Sequence, residues 1–142
     1  MKQTAVLLSI IIVLFAITGC SSGGGNKEAV TAAINATQTW LKIVDGGDYG
    51  KSWDEGSGYF KSVMSRDKWG LVIKANREPL GGVQTREVRG KQYLTSLDGL
   101  GDGQYVAIEF STDFDNKKAA TEAITTMLDK DGKWRTAIYV IK

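Results

Sequence analysis

Few side chains in this 142-residue sequence could carry chemistry: one cysteine, Cys20, no histidine, and carboxylates and guanidiniums distributed from Glu28 onward. The missing imidazole excludes a Ser-His-Asp triad, a Cys-His pair, a His-ligated zinc and a histidine acid/base near neutral pH. Carboxylate chemistry is what remains. Glu87, Glu109 and Glu122 recur in the same half of the chain as Arg77, Arg86, Arg89 and Arg135. A carboxylate buried away from water holds its proton more tightly and can act as the acid or base of an isomerase or hydrolase. The same residues on neighbouring strands also make ion pairs that set strand register, and this reading is favoured because no single carboxylate is marked as a base.

Two further constellations can be weighed on spacing. Asp98, Asp102, Gly103 and Glu109 fall at positions one, five, six and twelve of a calcium-loop template. Leu100 stands where a third oxygen ligand is needed, and Glu109 lies in a strand pattern, so the segment reads as a Gly-rich turn. No metal and no cofactor is assigned. The four tryptophans, Trp40, Trp53, Trp69 and Trp134, are candidates for lining an apolar pocket between helices and sheet. Packing of large rings into the core is the favoured alternative, since a small domain has few other ways to bury area.

Cys20 has the most specific surroundings. It follows Lys2, a run without charge from Ala5 to Ile17, and then Ile17, Thr18 and Gly19, which is the layout of an export signal. Ile-Thr-Gly-Cys resembles the lipobox of bacterial lipoproteins. That resemblance implies cleavage before Cys20, diacylglyceryl and palmitoyl-type acylation of the new N-terminus, and attachment to a membrane on its periplasmic side. Ser21 in place of the Asp that commonly retains such proteins at the inner membrane favours the outer membrane where the source has one. The apolar run is shorter than the roughly 20 residues that a spanning helix needs.

The expected organisation is therefore a signal peptide over 1–19, an acylated Cys and Gly/Ser tether over 20–26, and one domain over 27–142. Val30, Ala33, Ile34, Thr37, Leu41 and Val44 repeat at helical spacing and stop at Gly46-Gly47. Asp48 predicts the cap of a short second helix, Tyr59 to Met64 a third segment interrupted by Gly56 and Gly58, and Ser65 the cap of a helix from Arg66 that ends before Pro79. Beyond Gly82 the period becomes two. Val83–Leu94, Tyr105–Phe110, Ala120–Leu128 and Trp134–Val140 read as strands, with Trp134, Thr136, Ile138 and Val140 expected on one face. Asp131-Gly132 predicts a tight hairpin. Helices followed by a strand meander imply an α+β fold, the helices packed on one face of a four-stranded antiparallel sheet.

Charge narrows the partners. A formal net charge of +2, with both signs interspersed, offers no clustered basic face for nucleic acid and no polybasic patch for anionic lipid.

Several segments carry a family likeness. Asp45-Gly46-Gly47-Asp48-Tyr49, Ser52-Trp53, Trp69, Arg77-Glu78-Pro79-Leu80-Gly81-Gly82-Val83 and Arg86 resemble the bacterial family of unknown function DUF4019. So do Asp102-Gly103-Gln104-Tyr105-Val106, Phe114, Lys117-Lys118, Glu122 and Asp131-Gly132-Lys133-Trp134-Arg135. Leu97-Asp98-Gly99-Leu100-Gly101 departs from it, since prolines are common in that turn of the family. The resemblance implies an exported or lipid-anchored domain without an assigned activity, with a curved sheet like that of the cystatin and nuclear-transport-factor-two folds. The reading that follows is a lipid-anchored cell-envelope module, non-enzymatic, that binds an envelope protein or a small apolar ligand. The alternative is a small pocket enzyme with a buried Asp or Glu base.

Overall fold

The computed structural model describes residues 24–142. Four helices come first: α1 (Gly24–Asp45), α2 (Tyr49–Asp54), α3 (Gly58–Val63) and α4 (Arg66–Arg77), the last followed by a 3₁₀ turn over Glu78–Leu80. Four strands follow, β1 (Val83–Leu97), β2 (Gly101–Phe114), β3 (Ala120–Leu128) and β4 (Trp134–Ile141), paired antiparallel in the order β1-β2-β3-β4. This is the α+β layout that the change of period implies.

Helix α1 begins at Gly24, inside the stretch expected to be tether, and its periodic face meets the sheet. Ala33, Thr37, Trp40, Leu41 and Val44 are all buried, three or four residues apart. Each short helix is started by a side chain that accepts a bond from an otherwise unpaired backbone N–H. Asp48 Oδ1 accepts from Lys51 N at 3.0 Å, Ser57 Oγ from Phe60 N at 3.1 Å and Ser65 Oγ from Lys68 N at 3.3 Å. Gly58 does not interrupt the third segment; it opens α3 behind the Ser57 cap.

Alternation along β2 puts Val106, Ile108, Phe110, Thr112 and Phe114 toward the helices, and along β3 it puts Ala120, Glu122, Ile124 and Thr126 there. Strand β4 breaks the expected single face. Thr125 pairs with Ile138 but Thr126 pairs with Thr136, so Ala137 is an extra residue. This β-bulge reverses the phase. Trp134 and Thr136 face the core before it, and Tyr139 faces the core after it, opposite Ile124. Ile138 and Val140 turn to the outer face, where they are 36% and 37% exposed. Period-two reading cannot register one inserted residue.

The connection from α4 to β1 depends on a left-handed glycine. Gly81 has φ 77°, and a Cβ there would lie 2.8 Å from Asp115 Cβ. The close approach lets Asp115 Oδ2 accept from Gly82 N at 2.7 Å, which ties the entry of β1 to the exit of β2.

Candidate functional site

Cys20 and the preceding Ile17, Thr18 and Gly19 lie outside the described residues. The four tryptophans lie within them. Trp40 and Trp69 are buried in the centre of the helix–sheet interface, their rings 6.0 Å apart, and both make edge contacts with Phe60 and Tyr139. Such pairs are worth about 0.5–1.5 kcal/mol beyond area burial. Ser52 satisfies both indoles, since Trp40 Nε1 donates to its carbonyl at 2.7 Å and Trp69 Nε1 to its hydroxyl at 2.9 Å. Trp53 and Trp134 are half-buried at the margin of this cluster, and Trp53 Nε1 donates to Met64 O at 2.8 Å.

The largest concentration of buried charge lies beside these rings. Asp45 closes α1, Arg77 closes α4, and Arg86, Thr112, Glu122 and Tyr139 come from β1, β2, β3 and β4 in turn. Arg86 Nε donates to Glu122 Oε2 at 2.6 Å, and Arg86 Nη1 to Asp45 Oδ2 at 2.7 Å. Arg86 Nη2 donates to Asp45 Oδ1 at 3.0 Å and Glu122 Oε1 at 3.1 Å. Arg77 Nη2 donates to Asp45 Oδ1 at 3.1 Å and its Nη1 to Gly81 O at 2.5 Å, while its guanidinium carbon stands 4.5 Å from the centre of the Phe114 ring. Two cations meet two anions, so the group is neutral as a whole.

Glu122 is the innermost member, with no exposed surface. Besides both Arg86 contacts, its Oε2 accepts from Thr112 Oγ1 at 2.5 Å and its Oε1 from Tyr139 Oη at 2.5 Å. A carboxylate offers about four acceptor positions, and all are occupied. Burial of Arg86 opposes its charge, yet the bonds it donates to Asp45 and Glu122 outweigh that, and its pKa lies above the usual arginine value. Burial, and then the Glu122 charge, push the Tyr139 phenol well above the usual tyrosine range. The arrangement holds protons in place.

The arginines and glutamates divide differently from the sequence expectation. Arg77 and Arg86 pair with Asp45 and Glu122, and Arg135 pairs with Asp129 and Asp131 at the β3–β4 turn. Among the described residues Glu87, Glu109 and Arg89 enter no ion pair. In the sequence Asp45 and Tyr139 carry no mark of a site, because one looks like the last residue before a helix stop and the other lies beyond the bulge. Asp45, Arg77, Arg86 and Glu122 all occur in the segments that carry the family likeness, and that was the available signal. The calcium-template residues are drawn out along the β1–β2 hairpin, Asp102 and Glu109 about 24 Å apart at about 3.4 Å per residue. Among the described residues no group of three or more His, Cys, Asp or Glu is placed to hold a metal ion.

An open polar cleft of about 500 Å³ lies where α2 and α3 meet the β3–β4 turn, lined by Asp54, Glu55, Lys61, Asp129, Asp131 and Arg135 among others. Three of its carboxylates are already engaged: Asp54 by Arg66 Nε at 3.1 Å, Asp129 by Gly58 N at 3.0 Å and Asp131 by Arg135 Nη1 at 2.6 Å. None of the four tryptophans lines it.

Fold and site together define a small α+β domain in which four helices cover one face of a sheet meander and a closed ionic group joins the two layers. The chain belongs to the family described as protein of unknown function (DUF4019), whose model matches residues 36–139. No curated protein and no solved structure matches it.

Proposed function

We propose that this protein is a lipid-anchored component of the cell envelope, attached through acylated Cys20, whose domain is a non-enzymatic binding or structural module. The observation that carries the non-enzymatic part is the saturation of Glu122. A general base needs a free lone pair within reach of a substrate proton, and four donors already occupy this carboxylate. The anchoring part is supported by the sequence around the lone cysteine and by the Lys2-led apolar run before it. Two or more acyl chains give durable attachment where one gives only marginal binding. Among the described residues no helix is long and apolar enough to cross a membrane.

The test of anchoring is metabolic labelling of the full chain with a clickable palmitate analogue. Wild type is expected to take up label and sediment with membranes, and Cys20→Ser to do neither; unchanged fractionation of the variant overturns the anchor. The test of the module reading is turnover of ester, amide and enolisable ketone panels, where none is expected. Turnover that disappears in Glu122→Gln while the variant remains folded overturns it.

A further inference from the structure

The orientation of α1 determines which end of the domain adjoins the preceding chain. Thr37 Oγ1 lies 2.6 Å from Thr126 Oγ1, and Asp45 is joined through Arg86 to Glu122, so α1 runs antiparallel to β3. Its N-terminus therefore projects toward the end of the sheet that carries the β1–β2 and β3–β4 turns. From Thr37 back to Gly24 the helix extends about 20 Å at about 1.5 Å per residue. From Val106, which pairs with Thr126, back to Gly101 β2 extends about 17 Å at about 3.4 Å per residue. The start of α1 and the Leu97–Gly101 turn thus reach a similar level.

That turn carries two leucines, where a free hairpin tip is ordinarily polar throughout. Leu100 N donates to Leu97 O at 3.0 Å, and the two leucines are half-buried, with exposed Asp98 and Gly99 between them. Exposed Lys130 and Lys133 stand on the neighbouring turn, where the exposed Asp131 is paired with Arg135. Leucines and lysines at one end of a domain suit the boundary between water and lipid.

Resting on the acylation of Cys20 proposed above, we propose that this end of the domain sits on the lipid surface, with Leu97 and Leu100 in contact with the headgroup region. The length of the connection carries the inference. Between Cys20 and Gly24 the backbone spans at most about 14 Å even when fully extended, at about 3.6 Å per residue. The first turn of α1 is therefore held at the membrane, and the leucine turn with it. The opposite end, with Gly81, Gly82 and residues 115–119, faces away from the lipid.

The experiment is hydrogen exchange on the lipidated, cleaved protein in nanodiscs of phosphatidylethanolamine and phosphatidylglycerol, compared with the same residues carrying Cys20→Ser in solution. Exchange over 97–101 is expected to slow at least about threefold, and exchange over 115–119 to stay unchanged. A variant with about twelve Gly/Ser residues inserted after Ser22 is expected to remain on the discs and lose the protection. Bound, acylated protein without protection at 97–101, with protection at 115–119, or with protection that survives the insertion overturns the orientation. Intact mass without an acyl group at Cys20 overturns the anchor itself, so the two failures are separately visible.

Discussion

Arg86 Nε stands 2.6 Å from Glu122 Oε2 while the same guanidinium holds Asp45 Oδ2 at 2.7 Å, so one cation on β1 joins the end of α1 to the start of β3. Removing a single partner from such a pair leaves a buried charge without compensation, which costs more than the pair contributes. Arg86→Met is expected to lose about 3–5 kcal/mol in urea unfolding at pH 7. A loss under about 0.5 kcal/mol would show that the pair is not structural.

Tyr139→Phe removes one of the four donors to Glu122 without opening a cavity. A hydrogen bond to a charged group is worth about 1.5–3 kcal/mol, and that is the expected cost at pH 7. The alkaline limb tests the same contact. Because the folded phenol titrates well above the unfolded one, its contribution is complete below about pH 10 and is lost as the pH rises beyond that. The variant should therefore show a flatter decline of stability above pH 10, followed by circular dichroism, and an unchanged slope would refute the assignment.

Thr136 gives a prediction of opposite sign. Its hydroxyl is buried and has no hydrogen-bond partner, although Thr126 beside it on the sheet is bonded to Thr37. Thr136→Val keeps the shape and removes the unsatisfied group, so stability should rise by about 1–3 kcal/mol. Thr126→Val, which strands the Thr37 hydroxyl, should lower it. Equal effects of the two changes in thermal unfolding would contradict the difference in bonding.

Acid should loosen the β3–β4 turn before the core. The hydrogen bonds from Arg135 lower the Asp131 pKa to about 2, and the backbone N–H of Gly58 lowers that of Asp129. A depressed carboxylate contributes above its unfolded pKa near 4 and ceases to contribute as the pH falls through its folded value. Amide shifts over 129–135 should accordingly move between about pH 4 and pH 2, and high salt or Asp131→Asn should abolish most of the movement. Movement confined to the Glu122 region would point to the core instead.

The class of fold was legible because it rests on periodicity. Ala33, Thr37, Leu41 and Val44 at helical spacing, and Val106, Ile108 and Phe110 in alternation, are set by the period of each backbone and face the core as expected. Caps at Asp48 and Ser65 were legible for the same local reason. The ionic group was only partly so. Glu122 and Arg86 were recognisable as possible partners, but their burial and their link to Asp45 depend on residues up to 41 positions apart in sequence that meet through tertiary packing. Tyr139 was hidden by the inserted Ala137, and the early start of α1 by glycines that suit a flexible tether as readily as a first turn.

The bulge at Ala137 gives β4 one residue in reserve. Deleting that residue would leave Thr136 opposite Thr126 and Ile138 opposite Thr125, a regular ladder in which each residue beyond keeps its side. Ile138 and Val140 would stay outward, and the Tyr139 hydroxyl would stay with Glu122. A shortening that would turn over every side chain beyond it in a regular strand is absorbed here without a change of phase, and the contact to the core carboxylate survives it.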